Sequence, residues 1–267
     1  MPISDIQDEI LRRIAVHRCP ESYLAGATVL HLAGDSPRFS QDLDFFHDIA
    51  ERVAQSAELD AKTLFEAGYD LTWLLRTPTF YRAIITMGQQ QLRIEWAQDS
   101  VFRFFPVLSD ERCGYRLHDA DAAVNKVLAL AGRSEIRDFV DVLYLDRSYL
   151  SLGAMVWAAC GKDPGYTPQF LLEQAGRHSA YSQMDLNRLD LREPMDLKDL
   201  KQSWLGALDE ARKLVCMLPP EELGCLYLDQ ASNPVTPDPA SDAFPSLVRH
   251  TGSILGAWPT IVPWDHF

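Results

Sequence analysis

The sequence predicts an α+β protein, in which a mixed sheet flanked by helices is followed by a helical C-terminal domain. Short runs rich in β-branched and aromatic residues, separated by turn signals, occupy the first part of the chain. From His118 onward the apolar period changes from two residues to about 3.6. We therefore predict an α/β domain at 1–115, a helical domain at 116–228 and a proline-rich C-terminal arm at 229–267.

The predicted first domain opens with a helix over residues 4–18, whose apolar residues form one stripe. A short strand beginning near Tyr23, a turn at Gly26, a short helix and a second strand that ends at Phe46 follow. We predict that residues 48–68 form either one helix or two shorter helices. An antiparallel meander is predicted from three β-type runs, at 71–76, 80–87 and 91–96. A further edge strand is predicted at 102–108.

Helical periodicity dominates the second domain. A helix over residues 119–131 ends at Gly132, and the next begins behind Ser134 as its cap and runs to Tyr149. Four prolines between residues 231 and 245 predict an extended arm that packs on the surface or is partly disordered. Further helices are predicted at 168–178, 186–191 and 196–217.

The second strand carries two carboxylates, Asp42 and Asp44, two residues apart. Side chains alternate across a strand, so both carboxylates point to one face while Leu43 points to the core. Two adjacent carboxylates repel each other unless a cation lies between them. Oxygen ligands on one rigid face suit Mg²⁺, which binds through one or two carboxylates together with substrate phosphates.

Glu95 is the best candidate for a third carboxylate from a neighbouring strand. Leu92, Ile94 and Trp96 alternate to one face of their strand, which places Arg93 and Glu95 together on the other. A lone glutamate on a half-exposed strand is more often simply solvated. The assignment of Glu95 as a metal ligand therefore depends on the acids near it.

Two further features fit a phosphate. The turn from Gly26 to Thr28 leads into a helix N-terminus, where free N–H groups and the helix dipole favour an anion. Lys126 lies in a helix that is apolar on most sides, and such a lysine either snorkels or pairs with a carboxylate. As a phosphate ligand it would be oriented by Asp138 or Asp141. Without an upstream nucleotide site, this pattern is that of an ordinary amphipathic helix.

Composition limits the classes of partner that the chain is expected to bind. The net charge of −13 gives no global footprint for nucleic acid, which leaves only a local basic patch for that purpose. No run of about eighteen apolar residues occurs, so we expect no membrane partner. Five dispersed cysteines without zinc-ligand spacing fit free thiols in a reducing cytoplasm. Arginines fall between the two candidate site regions at positions 76, 82, 93, 103 and 116.

Three stretches bring these features together in order. They are Leu24-Ala-Gly-Ala-Thr-Val-Leu, then Arg38-Phe-Ser-Gln-Asp-Leu-Asp-Phe-Phe, and finally Asn125-Lys-Val-Leu-Ala-Leu with Arg133 and Arg137-Asp-Phe-Val-Asp141. Together they resemble the nucleotidyltransferase toxins of the AbiEii/AbiGii abortive-infection type, within the polymerase-β-like nucleotidyltransferase superfamily. The likeness covers residues 20–150.

The resemblance implies a polymerase-β-like nucleotidyltransferase domain that transfers a nucleotide from an NTP to a hydroxyl of RNA, above all tRNA, or of a protein. By analogy with such enzymes, two Mg²⁺ ions would bind to Asp42, Asp44 and Glu95 of this chain. Glu95 would also help to activate the acceptor hydroxyl. Lys126, held by Asp138, would neutralise the triphosphate. Such toxins are commonly encoded with an antitoxin, which becomes a candidate partner. The residues that would cradle the phosphates are Gly26, Thr28, Arg38 and Ser40.

The turn departs from the family pattern. Relatives usually have Gly-Gly-Thr or Gly-Ser there, whereas this chain has Gly26-Ala27-Thr28, so a backbone that needs a second glycine would be strained. This departure favours an alternative, a catalytically degenerate nucleotidyltransferase-fold module that binds nucleotide or a protein partner. Against it, a module freed from catalysis has no need of clustered carboxylates. A third interpretation treats the acids as solvated strand ends in an ordinary α/β protein.

Overall fold

The computed structural model describes residues 3–32, 34–133, 135–177 and 181–259. This part of the chain divides into two compact units. The first comprises Met1–Val101, Pro106–Ala122 and Leu189–Glu193, and the second Phe102–Phe105, Ala123–Arg188 and Pro194–Phe267, each as far as it is described. Neither unit is one continuous segment. The predicted domain limits at 115 and 228 stay predictions.

Helices and strands are defined as follows. In chain order the first elements are α1 (Asp5–Ile14), β1 (Ser22–Ala25), α2 (Gly26–His31), β2 (Asp42–His47), α3 (Ala50–Glu66), β3 (Asp70–Thr77), β4 (Phe80–Met87), β5 (Gln90–Gln98), β6 (Phe102–Arg103), β7 (Leu108–Asp110) and β8 (Gly114–Arg116). They are followed by α4 (Asp119–Gly132), α5 (Ile136–Ser148), α6 (Leu152–Lys162), α7 (Pro168–Gly176), α8 (Gln183–Leu186), α9 (Leu197–Met217), β9 (Cys225–Leu228), β10 (Val248–Thr251) and β11 (Ser253–Ile254).

A mixed sheet of seven strands forms the first unit, in the order β3-β4-β5-β2-β1-β8-β7. The strands β3, β4 and β5 form the antiparallel meander that the sequence predicts. Strand β2 runs parallel to β5 and antiparallel to β1, and β1 runs parallel to β8. This order places β2 between β1 and β5. The glycine turn, the Asp42/Asp44 strand and the Glu95 strand are therefore neighbours.

Helix α3 covers one face of this sheet, where it contacts β2, β3, β4 and β5. Trp96 of β5 identifies that face, because its Nε1 donates a hydrogen bond to Asp60 of α3 at 2.7 Å. Leu43 and Phe45 of β2 share the face and are 0% exposed, as Trp96 is. Since side chains alternate along a strand, Asp42 and its neighbours of the same phase point to the opposite face.

Helices dominate the second unit. Helix α9 contacts α5, α6 and α7, and its buried residues recur at helical spacing. Two small antiparallel sheets belong to the same unit, β9 with β10 and β6 with β11. Within the described residues, no helix combines the length and the apolar composition that crossing a bilayer requires.

Several predicted elements are confirmed and others need correction. Residues 48–68 contain one helix, α3. The segment 102–108 is not one edge strand, because β6 pairs with β11, and β7, which begins at Leu108, forms one edge of the large sheet. The helix predicted at 186–191 is wrong: α8 ends at Leu186, and Leu191 forms a bridge with Arg38 instead.

Strand β8 of the first unit is absent from the sequence prediction. The remaining differences concern the second unit. Helix α6 and the strands β9 and β10 are absent from the sequence prediction. The predicted proline-rich arm supplies β10, which pairs with β9. Ser134, the predicted cap of α5, lies outside the described residues, and Glu135 occupies the N-cap position. Residues 260–267 of the predicted arm also lie outside the described residues.

Candidate active site

The predicted acids lie on adjacent strands at the centre of the sheet. In the parallel register Asp44 of β2 stands opposite Glu95 of β5, and Asp42 stands opposite Arg93. Neighbouring strands lie about 4.8 Å apart, so side chains that are opposite and on one face are within reach of each other. The structure thus brings all three predicted carboxylates to the face opposite α3.

Gly26 connects β1 to α2 directly beside one of these acids. Its φ is +65°, in the left-handed region that favours glycine. A Cβ placed on Gly26 would overlap the Asp44 carboxylate, so only a glycine leaves room for that side chain. The turn and the predicted metal ligand are therefore in contact.

The second position of the turn needs no glycine. Ala27 lies in α2, and the described non-glycine residues with positive φ are Ser232 and Leu255. The strain anticipated from the missing second glycine is therefore not found, because the backbone of Ala27 is helical. Ala27 alone gives no structural reason for an inactive site.

Thr28 and Ser40 hold the start of β2. The Thr28 hydroxyl lies 2.7 Å from the main-chain oxygen of Asp42 and 2.9 Å from Ser40 Oγ. Ser40 Oγ lies 3.0 Å from the same Asp42 oxygen. Both side chains are buried, so these hydroxyls position the main chain of a predicted metal ligand. Their binding of phosphate stays a prediction.

Two arginines neutralise the carboxylates. Arg93 forms an ion pair with Asp42, and its Nε lies 3.3 Å from Glu95 Oε1. Arg82 of β4 stands opposite Glu95 and donates from Nε to the same oxygen at 2.8 Å. Partial burial alone would lower the pKa of Arg93, but the carboxylates around it raise that pKa above its usual value. Those carboxylates belong to Asp42, Glu95 and Asp44.

The chemistry of this donor set fits Mg²⁺. The three acids offer only oxygen ligands, which hard divalent cations prefer. The Arg93 guanidinium stands in for a cation among them, so this face already accommodates positive charge. Across the part of the chain that is described, no three His, Cys, Asp or Glu side chains are arranged to hold a metal ion together. A metal ion held by all three acids would need a different arrangement of these side chains.

Arg38, a predicted phosphate ligand, is 5% exposed and donates from Nη1 to the main-chain oxygen of Phe39 at 3.1 Å. Its segment is held by residues far along the chain. The N–H of Phe39 donates to the main-chain oxygen of Asp190 at 2.8 Å, and Arg192 donates likewise to Pro37 at 2.9 Å. Arg38 thus belongs to the same unit as the acids, and its role toward a phosphate stays a prediction.

Lys126 and Asp138 lie in the second unit and contact each other. The Lys126 ammonium is 3.0 Å from Asp138 Oδ1 and 3.1 Å from Asp141 Oδ2, so both candidate partners orient it. Arg133 also donates from Nε to Asp138 Oδ2 at 2.7 Å. Burial alone would raise the pKa of Asp138, but Lys126 and Arg133 lower it below its usual value. Asp138 is therefore a charged anchor for the lysine.

No protein-family model matches this chain, and no curated protein matches its sequence. Solved structures do match. MenT4, a nucleotidyltransferase toxin from Mycobacterium tuberculosis H37Rv, is similar with a TM-score of 0.57 and 16% sequence identity, over 81% of this chain and 83% of that one. This chain has a nucleotidyltransferase fold.

A second solved structure agrees. A protein from H. pylori that is provisionally named a nucleotidyltransferase is similar with a TM-score of 0.50 and 19% identity, over 81% of this chain and 99% of that one. At identities this low the likeness shows the fold alone. It confirms the predicted α+β fold with its mixed sheet. In this chain's own sheet order, Asp42 and Asp44 lie on the central strand.

Sequence reasoning missed the contacts that the arginines make with the acids. Alternation on β5 does place Arg93 and Glu95 on one face. The partner of Arg93 across the strands, Asp42, is 51 residues away and depends on the register of β2 against β5. Arg82 likewise depends on the register of β4. The contact between Arg93 and Asp42 is revealed only by the pairing of β2 with β5, which no local pattern specifies.

Proposed function

We propose that this protein is an Mg²⁺-dependent nucleotidyltransferase, which moves a nucleotide from an NTP to a hydroxyl of RNA, with tRNA as the first candidate, or of a protein. The observation that carries the proposal is the placement of Asp42, Asp44 and Glu95 on adjacent central strands, with Asp44 against the glycine turn. The nucleotidyltransferase fold of the chain supports it.

In the proposed reaction, the acceptor hydroxyl oxygen attacks the α-phosphorus of the NTP. The bond from that phosphorus to the bridging α–β oxygen breaks, and pyrophosphate leaves. Glu95, which lies on the same face of the sheet as Asp42 and Asp44, assists in removing the hydroxyl proton. Asp42, Asp44 and Glu95 would hold two Mg²⁺ ions, which would supply stabilisation of the negative charge that develops during transfer.

The remaining predicted ligands are assigned to the phosphates. The absence of a side chain at Gly26 allows the backbone of the turn to approach a phosphate closely. The other proposed phosphate ligands, Thr28, Arg38 and Ser40, lie in the segments on either side of the acids. Lys126 is proposed to neutralise the triphosphate. Its two carboxylate partners fix the direction of its ammonium group, which supports a positioning function for Asp138.

The biological setting is proposed from the resemblance. The sequence motifs resemble toxins of the AbiEii/AbiGii type, and MenT4, which is similar in fold, is a nucleotidyltransferase toxin. We therefore propose that this chain is the toxin of a toxin–antitoxin or abortive-infection system with a cognate antitoxin as its partner. Its five free cysteines support a reducing, cytoplasmic location.

One observation favours the alternative of a degenerate module that binds nucleotide or a protein partner. Arg93 and Arg82 already satisfy Asp42 and Glu95, so the acids have a purpose without metal. In that case the cluster would stabilise the sheet instead of carrying out transfer.

Labelling decides between the two functions. The purified protein is incubated with Mg²⁺ and each α-labelled NTP, with total tRNA or cell extract as acceptor. We expect labelled acceptor from the wild type and none from Asp42→Asn or Asp44→Asn. Asp70→Asn is the matched control, because Asp70 is exposed at the start of β3 and lies outside the cluster. NTP binding without transfer by the wild type would support the module instead.

A further inference from the structure

Arg93 and Arg82 occupy the carboxylates that the proposed function assigns to metal. We infer that these two arginines are exchangeable counter-ions: the metal takes the carboxylates, and the released guanidiniums bind the phosphates of the NTP. The inference rests on the proposed function, since it concerns the same site. It adds two nucleotide-binding residues that the sequence motifs do not contain.

Charge is the first reason. Three carboxylates on one face repel each other, and a cation among them relieves that repulsion. Arg93 contacts two of the three, Asp42 and Glu95, and Arg82 shares the Glu95 oxygen. A metal ion would need the same oxygens. Guanidinium and metal therefore compete for one set of ligands, and the metal enters only as the arginines leave.

Exposure is the second reason. The side chains of Arg93 and Arg82 are 35% and 38% exposed, so their ends can turn toward solvent. The pair of Arg18 with Asp60 in the same unit provides the contrast, because both side chains are 0% exposed and the pair is fixed in the core. The arginines of the site have the freedom that an exchange of partners requires.

The third reason is what a released guanidinium would bind. Its planar fork matches a phosphate as it matches a carboxylate, through two parallel N–H···O contacts. The nucleotide that accompanies the metal brings such phosphates to the same face. Before the exchange, the acids and the arginines therefore form ion pairs with each other. After it, the acids bind the metal and the arginines bind the triphosphate.

Metal affinity without nucleotide provides the first test. Mn²⁺ binding is measured by electron paramagnetic resonance on the wild type and on Arg93→Gln. We expect Arg93→Gln to bind Mn²⁺ roughly two- to fivefold more tightly, since loss of a partly exposed ion pair has about that effect. Arg82→Gln should act in the same direction.

Arg76→Gln is the matched control for the change in net charge. Arg76 lies in β3 but pairs with Glu58 of α3 at 2.7 Å and lies over the ring of Trp73. Its removal should leave Mn²⁺ affinity within twofold of the wild type. Arg93→Lys keeps the charge and should fall between the wild type and Arg93→Gln.

Nucleotide affinity provides the second test. Binding of a non-hydrolysable ATP analogue with saturating Mn²⁺ should weaken roughly tenfold in Arg93→Gln, a loss typical of one charge-assisted phosphate contact. Opposite changes in metal and nucleotide affinity would support the exchange. Unchanged or weaker Mn²⁺ binding in both Arg93→Gln and Arg82→Gln would overturn it, as would the same gain in Arg76→Gln. Neither result requires turnover, so a failure of labelled transfer remains a separate outcome.

Discussion

Gly26 is the point where the turn and the acidic cluster can be tested with one added methyl group. We predict that Gly26→Ala loses stability for two separate reasons. An alanine at the φ of +65° carries a strain of about 1–2 kcal/mol. Its Cβ would also overlap the Asp44 carboxylate, and forcing that side chain off its rotamer adds about 1 kcal/mol.

Gly88→Ala isolates the second of these costs. Gly88 has a φ of +61° in the tight connection between β4 and β5, and a Cβ there has nothing within 4 Å. It therefore suffers the backbone strain alone. We expect the free energy of unfolding, measured in urea, to fall by about 1–2 kcal/mol in Gly88→Ala and by about 1 kcal/mol more in Gly26→Ala.

Activity should separate the two variants further. A shift of Asp44 by about an ångström can cost about 10²-fold in transfer rate, since metal ligands must be placed accurately. Labelled nucleotidyl transfer should therefore fall about 10²-fold in Gly26→Ala and stay near the wild-type rate in Gly88→Ala. Equal stability and equal transfer rate in the two variants would refute the contact between Gly26 and Asp44.

Buried titratable groups give the remaining predictions. Burial lowers the pKa of His47 to about 4, so the folded state resists a proton that the unfolded state binds near pH 6.5. The free energy of unfolding should fall by roughly 3 kcal/mol from pH 7 to pH 4, and His47→Gln should lose much of that slope in urea titrations. Asp138 has a lowered pKa, so its stabilisation is present at neutral pH and is lost as the pH falls below about 4. Asp138→Asn should therefore cost about 3 kcal/mol at pH 7, because Lys126 and Arg133 lose a buried partner, and about 1 kcal/mol less at pH 3. A pH-independent cost would contradict that pairing.

Local signals explain the parts of the fold that the sequence predicts. The unit from β1 to β2 follows from a glycine turn between two strands, and the meander follows from alternation broken at Pro78 and Gly88. Strand β2 shows a strict alternation of burial from Asp42 to His47. Each of these signals lies within a few residues of the feature it predicts, so no long-range contact is needed to recognise it.

Helix α6 could not be predicted from the sequence because it is buried on every side. Residues from Leu152 to Cys160 of α6 are all buried, so no polar face marks a period of about 3.6. Strand β9 is buried at all four positions for the same reason. A short run that is apolar throughout does not distinguish helix from strand. Its partner β10 lies beyond the proline-rich stretch, and only tertiary pairing joins the two.

The exchange of counter-ions that we infer would let an acidic chain bind a triphosphate at one place. The net charge of −13 describes the whole molecule, whereas Asp42, Asp44 and Glu95 face Arg93 and Arg82 on one side of one sheet. While the arginines are paired with the acids, this face offers a phosphate little positive charge. If metal ions held the carboxylates as proposed, the released guanidiniums would add their positive charge to that of the metal. Affinity for the triphosphate should then depend on divalent metal more steeply than the metal charge alone predicts, and Arg93→Gln should reduce that dependence although it binds Mn²⁺ more tightly.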